Sequence, residues 1–421
     1  MTTVGMRIVG RNLAAASLAA MMASSPALAV TKYSLVDLGT LGGINSEANG
    51  LNDSGVVVGG SITPGSGATF PFLSQPNPTG TGALMPLGTL TGATDGCCAF
   101  SSAYGVDAFG RVVGVAGIGV GDDSHAFITP PHTTGPGELI DLGTLGGGYS
   151  TAFAISSSGL VVGAATTSEN VPGSGVGTHA FISSPYPTGP GFLFDLGVLE
   201  GGVASFALGI NSHGQVVGSG DSFQPGDGSP DVHAFISVPN PTGPGQLIDL
   251  GTLVGPKGSA LAYGINDGGR VVGIAASSDS WGHAFISQPN PTGPGELIDL
   301  GTLAGNGSSA LAINSSSVVV GQSGMADGFF HAFVSLPAPT GPGQIFDLNT
   351  LLIENTTGLL LTDAVAINER GQIAGWGYFA GGVRHAFLAN PVPLPSPVWL
   401  LITAIFLVAW WRTAKKVGAP V

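Results

Sequence analysis

Six of the eight histidines stand at one place in a recurring His-Ala-Phe triplet: His125, His179, His233, His283, His331 and His385. Imidazole is a common metal ligand, so such regularity raises the question of a metal ring. Equivalent residues of separate repeats lie too far apart to share one ion, so each His is expected to be hydrogen-bonded inside its own repeat. The Asp of a recurring Asp-Leu-Gly (Asp37, Asp141, Asp195, Asp249, Asp299) reads likewise as a turn acceptor. Calcium is the one ion the loops suit, through the acidic groups Asp122 and Asp123 or Asp221 and Asp227. No other cofactor is expected.

Cys97 and Cys98 are the only cysteines and they are adjacent. They supply no long-range staple, and zinc would lack further ligands. A vicinal disulfide and two thiols both stay open, and neither indicates redox catalysis. For nucleophilic catalysis the chain offers many Ser, but the His residues outside the repeat are only His132 and His213, each in a turn or connector. The last repeat breaks pattern most, with Glu369, Arg370, Trp376, Tyr378 and Arg384. No acid/base pair emerges there, so no catalytic residue is assigned and the chain is not expected to be an enzyme.

The elements that carry these residues repeat in fixed order. Phe72, Phe127, Phe181, Phe235, Phe285, Phe333 and Phe387 end the triplet or its equivalent, and subtraction gives spacings of 55, 54, 54, 50, 48 and 54 residues. Such a period, with several strand-like segments in each copy, is a propeller or array signature. Each copy holds Ile-Asn, a polar turn and Val-Val-Gly, or near variants of them, which read as a hairpin, as in Ile265–Gly273. His-Ala-Phe-Ile-Ser supplies a third strand. After a connector such as Pro239–Gly245 comes a fourth, Gln246–Leu250.

Four antiparallel strands per copy make a propeller blade. The first such segment, Tyr33–Leu38, has no blade before it, and the last triplet, His385-Ala386-Phe387, has no fourth strand after it. The two truncations are complementary. The expected fold is therefore all-β, a seven-bladed β-propeller closed by its N-terminal strand so that no edge stays bare. Hairpin turns and Pro-rich connectors fall on one face. The variable segments between Val-Val-Gly and His-Ala-Phe fall on the other, and they are longest at Ala164–Thr178 and Ser219–Val232. Variable loops on a rigid scaffold are where binding tends to be placed.

Composition agrees. Only 9% of residues are charged, while 71 Gly and 30 Pro suit many tight turns. Between Val30 and Pro397 six basic residues stand against all 25 acidic ones, which gives −19. A surface so acidic excludes nucleic acid as a partner.

Both ends read as addresses. Residues 1–29 carry Arg7 and Arg11, an apolar run and Ala27-Leu28-Ala29, the pattern of a secretory signal cut between Ala29 and Val30. The propeller is expected over 30–390. Residues 391–421 begin with Val392-Pro393-Leu394-Pro395, continue as an apolar helix over 398–411, and end with Arg412, Lys415 and Lys416. That run is shorter than the roughly 20 residues that span a bilayer, and its basic end would stay cytoplasmic.

Taken together, His-Ala-Phe, Asp-Leu-Gly-Thr-Leu-Gly-Gly and Ile-Asn-x-x-Gly-x-Val-Val-Gly resemble the HAF repeat of exported bacterial proteins, over Tyr33 to Leu388. The first copy departs with Phe70-Pro71-Phe72 and the second with Val106-Asp107. The tail resembles PEP-CTERM sorting signals of the Val-Pro-Leu-Pro-Ala kind, with Ser396 in place of the Ala and no Pro-Glu-Pro. These resemblances imply an extracellular repeat protein without assigned chemistry. They also imply a tail recognised by an exosortase-type membrane enzyme, in a Gram-negative bacterium that secretes exopolysaccharide. A permanent membrane anchor is the alternative for the tail. The expected function is a non-catalytic surface or biofilm-matrix scaffold that binds exopolysaccharide. The rival is a propeller-type polysaccharide hydrolase or lyase working on the variable-loop face.

Overall fold

The second strand of every blade owes its path to the Gly of Val-Val-Gly, or of Ile-Ala-Gly in the seventh blade. Gly59, Gly114, Gly163, Gly218, Gly273, Gly321 and Gly375 each pair with the Phe of the neighbouring third strand. A Cβ at any of them would collide with a carbonyl oxygen of the first strand, such as those of Glu47, Thr151 or Asp363. Only glycine leaves the space, and the Phe ring fills it. All seven of these Phe side chains are fully buried.

The computed structural model describes residues 31–393 except 66, 91–100, 120–122, 133–134, 136–138, 172–174, 223–230, 256 and 279–280. From Tyr33 to Val392 they form seven four-stranded sheets. The fifth blade shows the plan: Ala260–Ile265, Val271–Ala276, Gly282–Ser287 and Leu297–Gly301 pair in order, all antiparallel. The seventh takes its outer strand from the chain start, as the complementary truncations require. Lys32–Gly39 lies beside Arg384–Val392, followed by Ile373–Tyr378 and the inner strand Leu360–Ile367. The third strand of that blade runs two residues past the expected boundary at 390, so Val392 belongs to the propeller.

The apolar core lies in the seams between blades. One cluster joins Val272, Ile286 and Leu300 of the fifth blade to Ala310, Val319 and Phe333 of the sixth. Another joins Leu388 and Ala374 of the seventh to Leu38, Val57 and Phe72, so the closing seam is packed like the rest.

Each inner strand also carries a bulge at which one residue drops out of register, as Asn49, Tyr104 and Tyr263 do. Tyr104 and Phe153, from neighbouring blades, meet there with ring centroids 5.4 Å apart.

Two features differ from the sequence expectation. Ala164–Thr178 is not an open loop. Its described residues lie in the long strands Val161–Val171 and Gly175–Ser183, which pair past Thr166 to Val171. A short helix, Leu348–Leu351, appears where the other blades run Asp-Leu-Gly-Thr-Leu. Asn349 replaces the glycine, and its side chain bonds the backbone N–H and C=O of Leu361, 2.9 Å each. Asp347 caps the helix by accepting from the Asn349 N–H.

The signal segment with Ala29 and Val30, most of the tail with Leu394, Pro395, Arg412, Lys415 and Lys416, and the apolar helix expected over 398–411 lie outside the described residues. Among the described residues no helix is long and apolar enough to cross a membrane.

Candidate functional site: an aromatic cleft on the sixth and seventh blades

The repeat histidines are engaged inside their blades. Nδ1 of His125, His179, His233, His283 and His331 lies 2.7–2.9 Å from the carboxylate of Asp141, Asp195, Asp249, Asp299 and Asp347. His385 meets Asp37 of the closing strand at 2.9 Å. The same carboxylates accept backbone N–H bonds two residues on, from Gly143, Gly197, Gly251 and Gly301 among others. One Asp thus shapes the turn and holds the imidazole. At Asp249 burial raises the pKa, but the His233 and Gly251 bonds outweigh it and hold the carboxyl below its usual range.

The first blade lacks both partners together: Phe70 stands for the His and Pro86 for the Asp. Among the described residues no three His, Cys, Asp or Glu side chains gather to hold a metal ion. Of the acidic loop groups proposed for calcium, Asp122 and Asp227 lie outside the described residues, as do Cys97 and Cys98. His213 sits in a hairpin turn, and His132 holds φ 57° in a connector.

The hairpin face is organised by the Asn of Ile-Asn. Its side-chain oxygen accepts from the backbone N–H four residues on, while its Nδ2 donates to the equivalent carbonyl of the next blade. Such bonds link Asn211 to Asn266, Asn266 to Asn314, Asn314 to Asn368, Asn368 to Asn52 and Asn52 to Asp107, at 2.8–3.3 Å. The Pro-rich connectors fold onto the same turns, Asn290 N–H donating to Gly269 C=O at 2.8 Å.

Asp107 departs from Asn because Arg111 follows it. The two buried charges pair through Nε at 2.7 Å, and the guanidinium stacks on Tyr186 of the third blade, 4.1 Å from its centroid. Glu369 and Arg370 also lie on this face, where Glu369 accepts from the Ser315 N–H and Arg370 N–H donates to Asn368. Glu369 thus serves the seam with the sixth blade, and both stand apart from Trp376, Tyr378 and Arg384.

Those three belong to the opposite face. There a cleft of about 760 Å³ opens between the sixth and seventh blades. Phe329 and Phe330 of the sixth blade and Trp376, Tyr378 and Phe379 of the seventh line it, together with Gln322, Leu360 and the buried Thr362 and Asp363. Trp376 and Tyr378 meet edge to face at 5.8 Å. Arg384 lies over the Trp376 ring at 5.0 Å and pairs with Glu47 of the first blade.

Asp363 is buried. Burial pushes its carboxyl up to about 6, helped by the Glu47 charge and opposed by the Thr362 hydrogen bond and by Arg384. Near neutral pH such a group can both accept and donate a hydrogen bond.

The sequence pointed to Trp376, Tyr378 and Arg384 but not to Asp363, Glu47 or the two Phe. One signal was available. The seventh inner strand, Leu360–Ile367, is longer than every other inner strand except the third blade's Gly146–Ile155, and it carries a second bulge, at Thr362. This extra residue sets Asp363 opposite Trp376. Glu47 holds the equivalent place in the first blade, opposite Gly60.

No protein-family model matches the chain, and no curated protein matches it either.

Proposed function

We propose that the chain is an exported scaffold protein of the HAF-repeat kind whose aromatic cleft on the sixth and seventh blades binds glycan. One observation carries this reading: five aromatic side chains, Phe329, Phe330, Trp376, Tyr378 and Phe379, line the cleft beside only a few polar ones, Thr362, Asp363 and Gln322. A sugar ring has apolar C–H faces and a rim of hydroxyls. Aromatic side chains cover the first, and a few fixed polar groups orient the second. Six basic residues against 25 acids between Val30 and Pro397 make an anionic glycan a poor match. A glycan array probed with the Tyr33–Val392 domain tests the reading. Binding lost in Trp376→Ala and Tyr378→Ala supports it, and a blank array or unchanged binding removes it.

Export rests on the two end segments. The signal is cut between Ala29 and Val30. The tail, from Val392-Pro393-Leu394-Pro395 through the apolar run to Arg412, Lys415 and Lys416, holds the chain at the membrane until an exosortase-type enzyme removes it. The protein then joins the surface or exopolysaccharide matrix of a Gram-negative cell. Intact mass of the protein from its source cell should show both ends trimmed. A chain still ending at Val421 would make the tail a permanent anchor.

The hydrolase reading has one observation in its favour: a buried carboxyl raised to about 6 in the lining of the cleft, with Glu47 nearby. Such a pair resembles the acid and its partner carboxylate of glycoside hydrolysis. If the cleft turns over glycan, Asp363→Asn should abolish turnover and keep binding.

A further inference from the structure

The cleft has a neighbour. A second one, of about 400 Å³, lies between the fifth and sixth blades, lined by Trp281, Asn306 and Met325. The two clefts share Gly328, Phe329 and Phe330. Trp281 and Phe329 hold the same place in successive blades, two residues before the His of the triplet. The first four blades have Ala68, Asp123, Gly177 and Asp231 there, and the seventh has Val383. Large aromatic groups at this position thus occur on adjoining blades only, and they are open to solvent: Trp281 is 56% exposed, Phe329 63% and Phe330 49%. Contiguous exposed apolar surface of this kind marks a binding surface, since burying such rings in the fold would otherwise be favoured.

We propose that the two clefts are consecutive seats for one extended, uncharged glycan chain. It would lie across the fifth, sixth and seventh blades and cross the Phe329–Phe330 ridge between them. This rests on the glycan reading of the larger cleft and adds to it that the ligand is a polymer, read over several sugar units. Three points favour this occupant. Each cleft combines aromatic rings with an amide side chain, Gln322 in one and Asn306 in the other, a fit for alternating C–H faces and hydroxyl rims. The only cation described beside the larger cleft, Arg384, is already paired with Glu47 and stacked on Trp376. Among the described residues no Lys or Arg lines either cleft to meet a uronate or phosphate, and Asp327, half-exposed near His331, adds acid beside Gly328. Because Phe329 and Phe330 line both, the two clefts adjoin, and a chain seated in one can extend into the other.

The test is titration calorimetry with uncharged gluco-oligosaccharides, β-1,4- and α-1,4-linked, from two to eight units. Affinity should rise at least tenfold between the disaccharide and the hexasaccharide in one linkage series. Trp281→Ala should remove most of that gain and leave disaccharide binding unchanged, with thermal unfolding confirming the fold. Phe330→Ala should weaken both lengths, because the ridge faces both seats. Affinity independent of length, with Trp281→Ala silent, would overturn the extended track and leave the single cleft standing. Binding of uronate oligomers alone, or of no oligosaccharide by the parent, would overturn both readings.

Discussion

Single residues in this protein are explained in pairs. Asp107 and Arg111 are the ionic version of a neutral arrangement seen elsewhere: Asn211 donates to Gln215 at 2.9 Å and Asn368 to Gln372 at 2.8 Å. Breaking the ionic version from one side leaves a buried charge without its partner, which typically costs about 3–5 kcal/mol. Asp107→Asn alone should therefore lower the melting temperature by several degrees. Asp107→Asn with Arg111→Gln should recover most of the loss, as denaturant melts of the single and double variants would show. Equal loss in both would mean that stacking on Tyr186 matters more than the charge pair.

Asp363 should act in the opposite sense. Burial pushes its carboxyl up to about 6 in the fold, from an ordinary value of 3.8. Between those values the folded protein keeps a proton that the unfolded chain has released, so stability falls as pH rises through the window. At about 1.4 kcal/mol per pH unit, this burial costs on the order of 3 kcal/mol above pH 6. Asp363→Asn should raise the melting temperature at pH 7, with the gain fading below about pH 4. A residue that destabilises its own fold is best understood by what it does in the cleft.

At the scale of elements, the order of strands was plain in the sequence because His-Ala-Phe, Val-Val-Gly and Asp-Leu-Gly each mark one position in the sheet. Their physical reasons were only partly legible. The Gly beside Phe285 reads as a strand residue until the Leu261 carbonyl is seen to occupy the place of its Cβ. The His and Asp appeared as separate turn and strand residues. Only the register shows that they meet, and that Phe70 and Pro86 replace them jointly.

The cleft was less legible still, because it depends on one added residue at Thr362 and on Asn349 replacing a glycine, small changes inside otherwise regular repeats. The closing strand is the element most open to test. Leu38 is fully buried and Tyr33 nearly so, and burying such side chains contributes about 1.5–3 kcal/mol each. A chain lacking residues 30–41 should melt well below the parent and associate through its bare edge. Unchanged melting would refute the ring.

For the whole molecule, ring closure fixes more than stability. Lys32–Gly39 lies against Arg384–Val392, with Ser34 reaching the Asn390 carbonyl, some 350 positions along the chain. The Asn368-to-Asn52 bond, 3.0 Å, closes the hairpin face over a similar span. Contacts so distant in sequence form late, because the entropy of a long loop must be overcome before they are rewarded. A segment made early is therefore used last. Until it docks, the six blades that need nothing from it can assemble while the seventh waits with one strand missing. During that interval the vacancy can be filled by the same eight residues of another molecule, so crowded refolding should yield exchanged dimers, whereas dilute refolding should yield closed rings.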